Sequence, residues 1–257
     1  MRRAVFNLKG GVGKSSIACN LAAVSAAAGY RTLLVDLDPQ ANSTHYLTGL
    51  CGDAIPVGIA DFFRQTLSSG PARKHSRVAV TETPYENLHL VAASAELAEM
   101  QARLEAKFKI NKLRRLLVEL SEDYERIYID TPPSLNFFSI SALIAANRVL
   151  IPFDCDSFSR QALYSVIAEV ADLRADHNEH LKVEGVVVNQ YMSRTNLHQS
   201  MIDELVAEGL PVLPVYLNSS VKMRESHEAS TPLVHLAPAH TLARQFEGLF
   251  TLIEQAA

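Results

Sequence analysis

The chain has 257 residues, 48% of them apolar and 20% charged, with a formal net charge of -4. That length and apolar content suit one α/β domain with a sizeable core. Overall charge does not mark a nucleic-acid binder, so any DNA contact has to come from a local basic patch, and no apolar run approaches the ~20 residues of a membrane span.

In chain order, "AVFNL" (4–8) reads as a strand that runs into a glycine-rich turn, and 15–28 reads as a helix with Ile17, Leu21, Ala22, Val24 and Ser25 on a small apolar side. A second strand, "RTLLVDL" (31–37), precedes an irregular stretch at 50–86, whose polar segment "SSGPARKHSRVAVTETPYEN" is expected to be a surface excursion. Then come a strand at 87–93, a helix at 96–120, the strand "RIYID" (126–130), a helix at 138–146 and a strand at 148–152. Helices at 160–175, 196–208 and 240–255 alternate with strands at 183–189 and 212–216. Apolar strands alternating with helices predict one doubly wound, mostly parallel twisted sheet with helices on both faces, a single α/β domain over 1–257.

Cys19, Cys51 and Cys155 are far apart and lack metal or CxxC spacing, so free thiols are expected. The start "MRRAVFNLKGG" reaches the glycine turn too quickly for a signal peptide or an added helix-turn-helix domain, which predicts a cytoplasmic protein. In and around the basic run "KFKINKLRR" (107–115), Leu104, Phe108, Leu113, Leu116 and Leu117 predict an amphipathic helix with a cationic outer face. His177 and His180 in "RADHNEH" fall where a helix ends, and a solvated turn is the expectation there.

The stretch that carries chemistry is "KGGVGKSS", between a predicted strand and a predicted helix. Gly10, Gly11, Val12 and Gly13 let backbone N–H groups converge on phosphate oxygens, and the helix opening at Ser15 and Ser16 adds its positive end. Lys14 is placed to reach the β- and γ-phosphates and Ser15 to ligate Mg2+. The general phosphate-loop pattern has glycine or alanine where this chain has Leu8, and an extra lysine, Lys9, follows it. "RIYID" delivers Asp130 from a buried strand to the Mg2+ shell.

With "KGGxGK" followed by serine, "DLDPQAN" at 36–42 and "DTPPS" at 130–134, the chain resembles the ParA/MinD family of deviant Walker A P-loop ATPases, closest to small Soj-like partition ATPases. The resemblance implies that Lys9 reaches across a homodimer to the partner's ATP, much as an arginine finger does. It implies further that Asp38 positions the attacking water, that Asp36 helps hold the magnesium region, and that Asn189 reads adenine with the backbone near Pro214 beside the base. Arg194 and Lys222 match the family's contacts to nonspecific double-stranded DNA, and Arg224 is a nearby addition. Slow hydrolysis, a ParB-like or other activator, and association with the nucleoid in the ATP state follow from the same resemblance. A MinD-like membrane anchor needs a basic amphipathic tail, whereas the last helix pairs its Leu242, Phe246, Leu249, Phe250 and Ile253 stripe with an acidic balance and is expected to pack on the sheet. The resemblance also implies a nucleotide-sensing switch at Thr131-Pro132-Pro133; an iron–sulphur reductase needs a cysteine following that switch, and none lies near "DTPPS".

Overall fold

A computed structural model describes residues 1–55, 57–68 and 78–256. Its strands are β1 (Arg2–Val5), β2 (Thr32–Asp36), β3 (Thr81–Glu82), β4 (Leu88–Val91), β5 (Arg126–Asp130), β6 (Arg148–Asp154) and β7 (Lys182–Asn189). They form one sheet in the order β3-β4-β2-β5-β1-β6-β7, parallel throughout except for the antiparallel edge pair β3–β4. The helices are α1 (Lys14–Ala27), α2 (Asn42–Thr48), α3 (Ile59–Leu67), α4 (Glu96–Ala106), α5 (Lys112–Leu120), α6 (Phe137–Ala145), α7 (Ser157–Asp176), α8 (Asn196–Ala207), α9 (Val221–Glu228), α10 (Leu233–Leu236) and α11 (Thr241–Gln255).

Period-two alternation sorts the strand side chains between two cores. Leu33, Val35, Ile127 and Ile129 face one core with α3 to α8, while Leu34, Tyr128, Leu150 and Val187 face the other with α1, α2, α10 and α11. Parallel strands buried on both faces explain why "TLLVD" and "RIYID" are nearly unbroken apolar runs. Val5 pairs in register with Asp130, and Asp36 pairs with Asp130 as well. The carboxyl ends of the three central strands therefore stand level, at the crevice where open α/β sheets take their ligands.

The stripe of α11 is buried as expected, against α1 and the sheet. Helix α1 exceeds its expected one-sided burial: Ile17 through Ala26 are all covered, because α11 and α2 lie on the side away from the sheet. The 212–216 strand does not form. That segment runs beside β7 with Leu213 N donating to Val186 O at 3.0 Å and Leu217 N to Val188 O at 2.9 Å. Pro214 between them has no N–H to continue a ladder.

The single helix expected over 96–120 is two helices, broken where Phe108 takes φ 52. Leu104, Leu113, Leu116 and Leu117 are buried, but Phe108 sits on the connection and is 91% exposed, so it does not belong to the apolar face. The irregular stretch at 50–86 also holds more structure than expected. In α3, Phe63 packs edge-on against Phe137 and Phe138 at 5.7 and 5.6 Å, and β3 extends the sheet. Part of the expected surface excursion, 69–77, lies outside the described residues. The three cysteines are free, and His177 and His180 are exposed at the end of α7.

Candidate nucleotide-binding site

The glycine loop is pinned before it turns. Buried Asn7 donates from Nδ2 to Pro152 O at 2.6 Å and accepts from Lys9 N at 2.9 Å, which ties the end of β1 to β6. Gly11 and Gly13 then take φ 78 and φ 90, a region L side chains resist. A Cβ at Gly13 would also fall 2.2 Å from Asn189 Nδ2, so two constraints require glycine there. Gly13 caps α1, whose first N–H groups have no acceptor within the helix and open toward the loop. Lys14 is buried, and its Nζ donates to Lys9 O at 2.9 Å, so the loop closes on its own lysine. Burial pushes the Lys14 ammonium down, and Asp130 and Asp38 pull it back only in part.

Three buried acids face that one buried lysine. Asp36 accepts from Asp38 N at 3.0 Å on one oxygen and from Thr44 N and Thr44 Oγ1 at 2.9 and 2.8 Å on the other. Asp130 accepts from Ser43 Oγ at 2.7 Å and from Thr131 N at 3.0 Å. Asp38 accepts from Gln40 N at 2.9 Å, which holds the turn into α2. Burial pushes the Asp36 carboxyl up to about 8, with the Asp130 charge adding to it, and the bonds from Thr44 and Asp38 N oppose the rise. Burial pushes Asp130 up to about 6, against the hydroxyls of Ser15 and Ser43. Buried carboxylates this close together cannot all ionise cheaply without a cation among them. Hydroxyl and carboxylate oxygens around an excess of negative charge are the donor set of a hard divalent ion. Ser15, Asp36 and Asp130 would hold Mg2+, which when bound supplies charge neutralisation beside the phosphates.

Lys9 points the other way. Its Nζ pairs with Asp156 and donates to Ser159 Oγ at 2.9 Å, at the first turn of α7. Asp156 caps that helix by accepting from Ser159 N at 2.9 Å. Against the upward push of burial, Lys9 and Ser159 hold the Asp156 carboxyl below the usual carboxylate range. Neither residue stands out in the sequence as a partner of Lys9, although "DSFS" is readable as a helix start.

A family profile described as "AAA domain" matches residues 3–183. The chain is 33% identical over 245 residues to the chromosome-partitioning ATPase Soj of Treponema pallidum, covering 95% of this chain and 92% of that one. It is 31% identical to the chromosome-partitioning ATPase Soj of Thermus thermophilus, covering 99% and 97%. The chain belongs to the ParA/MinD family of P-loop ATPases. Among solved structures, a cobyrinic acid a,c-diamide synthase from Mycobacterium smegmatis with bound ATP analogue and magnesium superposes with a TM-score of 0.84 at 26% identity, over 99% of this chain and 94% of that one. The cell division ATPase MinD of Pyrococcus furiosus has the same fold, with a TM-score of 0.79 at 20% identity over 100% and 99%.

In this ParA/MinD chain Asn189 braces the loop, its Nδ2 donating to Val12 O at 2.9 Å, and Gln190 Nε2 donates to Gly11 O at 3.1 Å. The carboxamide expected to read adenine is thus engaged with the loop backbone in this structure, and Pro214 is exposed on the segment beside β7. The loop after β5 lies over the phosphate loop: a Cβ at Gly10 would be 4.0 Å from Pro133 Cβ. Thr131 Oγ1 anchors it by donating to Val5 O at 2.7 Å.

The basic residues stand on two segments that are tied together. Arg194 is exposed on the turn after β7, and that turn is joined to the approach to α9 by the Tyr191–Asn218 bridge and by Ser219 N donating to Tyr191 O at 3.0 Å. Lys222 and Arg224 stand on α9, Lys222 paired with Glu225. Arg194 and Arg224 form no ion pair among the described residues.

Proposed function

We propose that this chain is a slow Mg-ATP hydrolase that dimerises on ATP, binds DNA without sequence preference and positions or segregates a cargo. The observation that carries the reading is the opposed direction of two lysines in one loop. Lys14 turns inward to the loop and the acids, while Lys9 turns outward to α7. A cation outside its own phosphate site is available to a second copy, where two apposed triphosphates concentrate negative charge. Asp38, buried beside Asp36, would orient the attacking water, and positioning with charge neutralisation would do most of the rest.

The relatives support the purpose: they include chromosome-partitioning ATPases of the Soj kind and chromosome partitioning protein ParA of Myxococcus xanthus. By this reading Arg194, Lys222 and Arg224 of two subunits contact DNA phosphates, and a ParB-like or other adaptor stimulates turnover at the nucleoid. The alternative, positioning on a membrane or protein surface, loses α11 as its anchor because the apolar stripe is buried.

Binding to nonspecific duplex DNA with ATP against ADP, across a salt series, tests the reading. Wild type is expected to bind with ATP only, with log K falling by about 0.9 per log salt for each phosphate contact, and Lys222→Glu is expected to lose binding. No binding by wild type in either nucleotide state overturns the DNA surface.

A further inference from the structure

Helix α9, which carries Lys222 and Arg224, is wired directly to the helix that opens from the phosphate loop. His227 Nε2 lies 2.8 Å from Ser16 Oγ, one residue beyond the Mg2+-ligating position Ser15. The imidazole stacks on Tyr46 of α2, centroids 4.2 Å apart at 26°. One turn further along α1, Asn20 donates to Ser16 O at 2.9 Å and to Tyr46 Oη at 3.0 Å, and accepts from Leu233 N at 2.8 Å. Ser226 hands its single hydroxyl hydrogen to Thr231 O at 2.5 Å. Tyr46 must therefore donate to Ser226 Oγ at 2.5 Å, and every hydrogen in this buried set has one assigned place except that between Ser16 and His227.

That last hydrogen is where the ligand acts. Burial, with His45 beside it, holds the His227 imidazole below its usual range, so the ring is neutral and its Nε2 either accepts or donates, not both. A phosphate oxygen only accepts. When phosphate meets the first turn of α1 and takes the Ser16 hydroxyl hydrogen, His227 can keep its bond only as donor, through the Nε2–H form. If it does not, a half-buried imidazole nitrogen and Ser16 face each other without a hydrogen between them.

We propose that His227 is a positioning residue that reports phosphate at Ser16 to α9: the change in sense of the Ser16–His227 bond re-seats α9 against α1 and α2, and with it Lys222 and Arg224. Residues 221–228 form one short helix, so a shift at His227 is carried to Lys222 less than two turns away. The inference rests on the reading that a nucleotide occupies the loop, and it adds a physical route from nucleotide to the basic side chains of α9.

The test is hydrogen–deuterium exchange of 221–228 in the full chain, without nucleotide and with saturating Mg and a nonhydrolysable ATP analogue, saturation being established by titration for each variant. Wild type is expected to change its exchange rate there by about fivefold or more on loading. His227→Ala is expected to lose that response, and His227→Gln, whose amide can donate or accept, to restore it. An unchanged response in His227→Ala overturns the proposal. So does the absence of a response in wild type, or a Gln variant that fails as the Ala variant does, since that assigns His227 to packing on Tyr46 alone. DNA retention, ATP over ADP, is read in parallel, and its ratio is expected to fall toward 1 in His227→Ala. Wild type that never binds DNA yet shows the exchange response removes the DNA reading and leaves this relay standing.

Discussion

The two ends of the same sheet treat buried charge in opposite ways. At the amino end, Arg3 is 1% exposed and lies between Glu184 at 2.8 Å and Glu254 at 2.7 Å, while Arg126 shares Glu254 at 2.5 Å and stacks over Tyr30. Burial works against the Arg3 charge, and Tyr128, Glu184 and Glu254 more than offset it, holding the guanidinium protonated. Two cations meet two anions, and the last helix is fastened to the first strand. At the carboxyl end, three buried acids, Asp36, Asp38 and Asp130, stand with one buried lysine, Lys14, among the described residues. An edge balanced by its own chain serves stability, whereas an edge left with surplus charge is completed by a ligand that brings a cation.

Lys14→Ala should break the ligand end most severely: nucleotide affinity is expected to fall by about 100-fold, the worth of a charge-assisted bond to phosphate. A fluorescent-nucleotide titration within threefold of wild type would take Lys14 out of the phosphate site. At the balanced end, Arg3→Met strands Glu184 in the interior and is expected to cost about 3 kcal/mol in urea unfolding. A neutral result would mean that the network is dispensable packing.

The ligand end should respond to pH with the opposite sense from a salt-bridged acid. Asp36 and Asp130 bind protons more tightly folded, at about 8 and about 6, than in the unfolded chain, where the reference is 3.8. The folded state therefore holds more protons between pH ~4 and ~8, and the stability of the nucleotide-free chain is expected to fall by several kcal/mol as pH rises through that window. Asp130→Asn should recover up to about 3 kcal/mol at pH 8 and flatten the slope, and Mg-nucleotide should flatten it in wild type. Stability that rises with pH, in denaturation series at pH 5 and pH 8, would show that the acids are compensated without a ligand.

Asp156→Ala has the smallest expected effect. The Lys9–Asp156 pair is a third exposed, so unfolding should move by less than about 1 kcal/mol. Freed of Asp156, Lys9 should strengthen the ATP dimer by about two- to threefold in sedimentation analysis, because the pair no longer has to open. A dimer weakened by the substitution would place Asp156 in the interface itself.

The loop, the buried acids and "RIYID" were readable in advance because each is a local pattern: glycines with two lysines, acids at the carboxyl ends of apolar runs, a serine on a helix start. Strand β5 was bounded correctly since period and composition agree there. Phe108 misled because a residue at helical spacing can still fall at a break in the chain, which φ 52 reveals and composition does not. The run at 212–216 misled because β-branched residues announce a strand even where proline removes its donors.

What the sequence determined by itself, then, is chemistry held within a few residues: a phosphate loop with an extra lysine, and carboxylates delivered by buried strands. Only the tertiary structure decided where those groups point and what they touch. Arg3 meets Glu254 across 251 positions and Ser16 meets His227 across 211. Such pairs leave no periodicity behind, since the packing of distant elements, and not local spacing, brings them within hydrogen-bond distance.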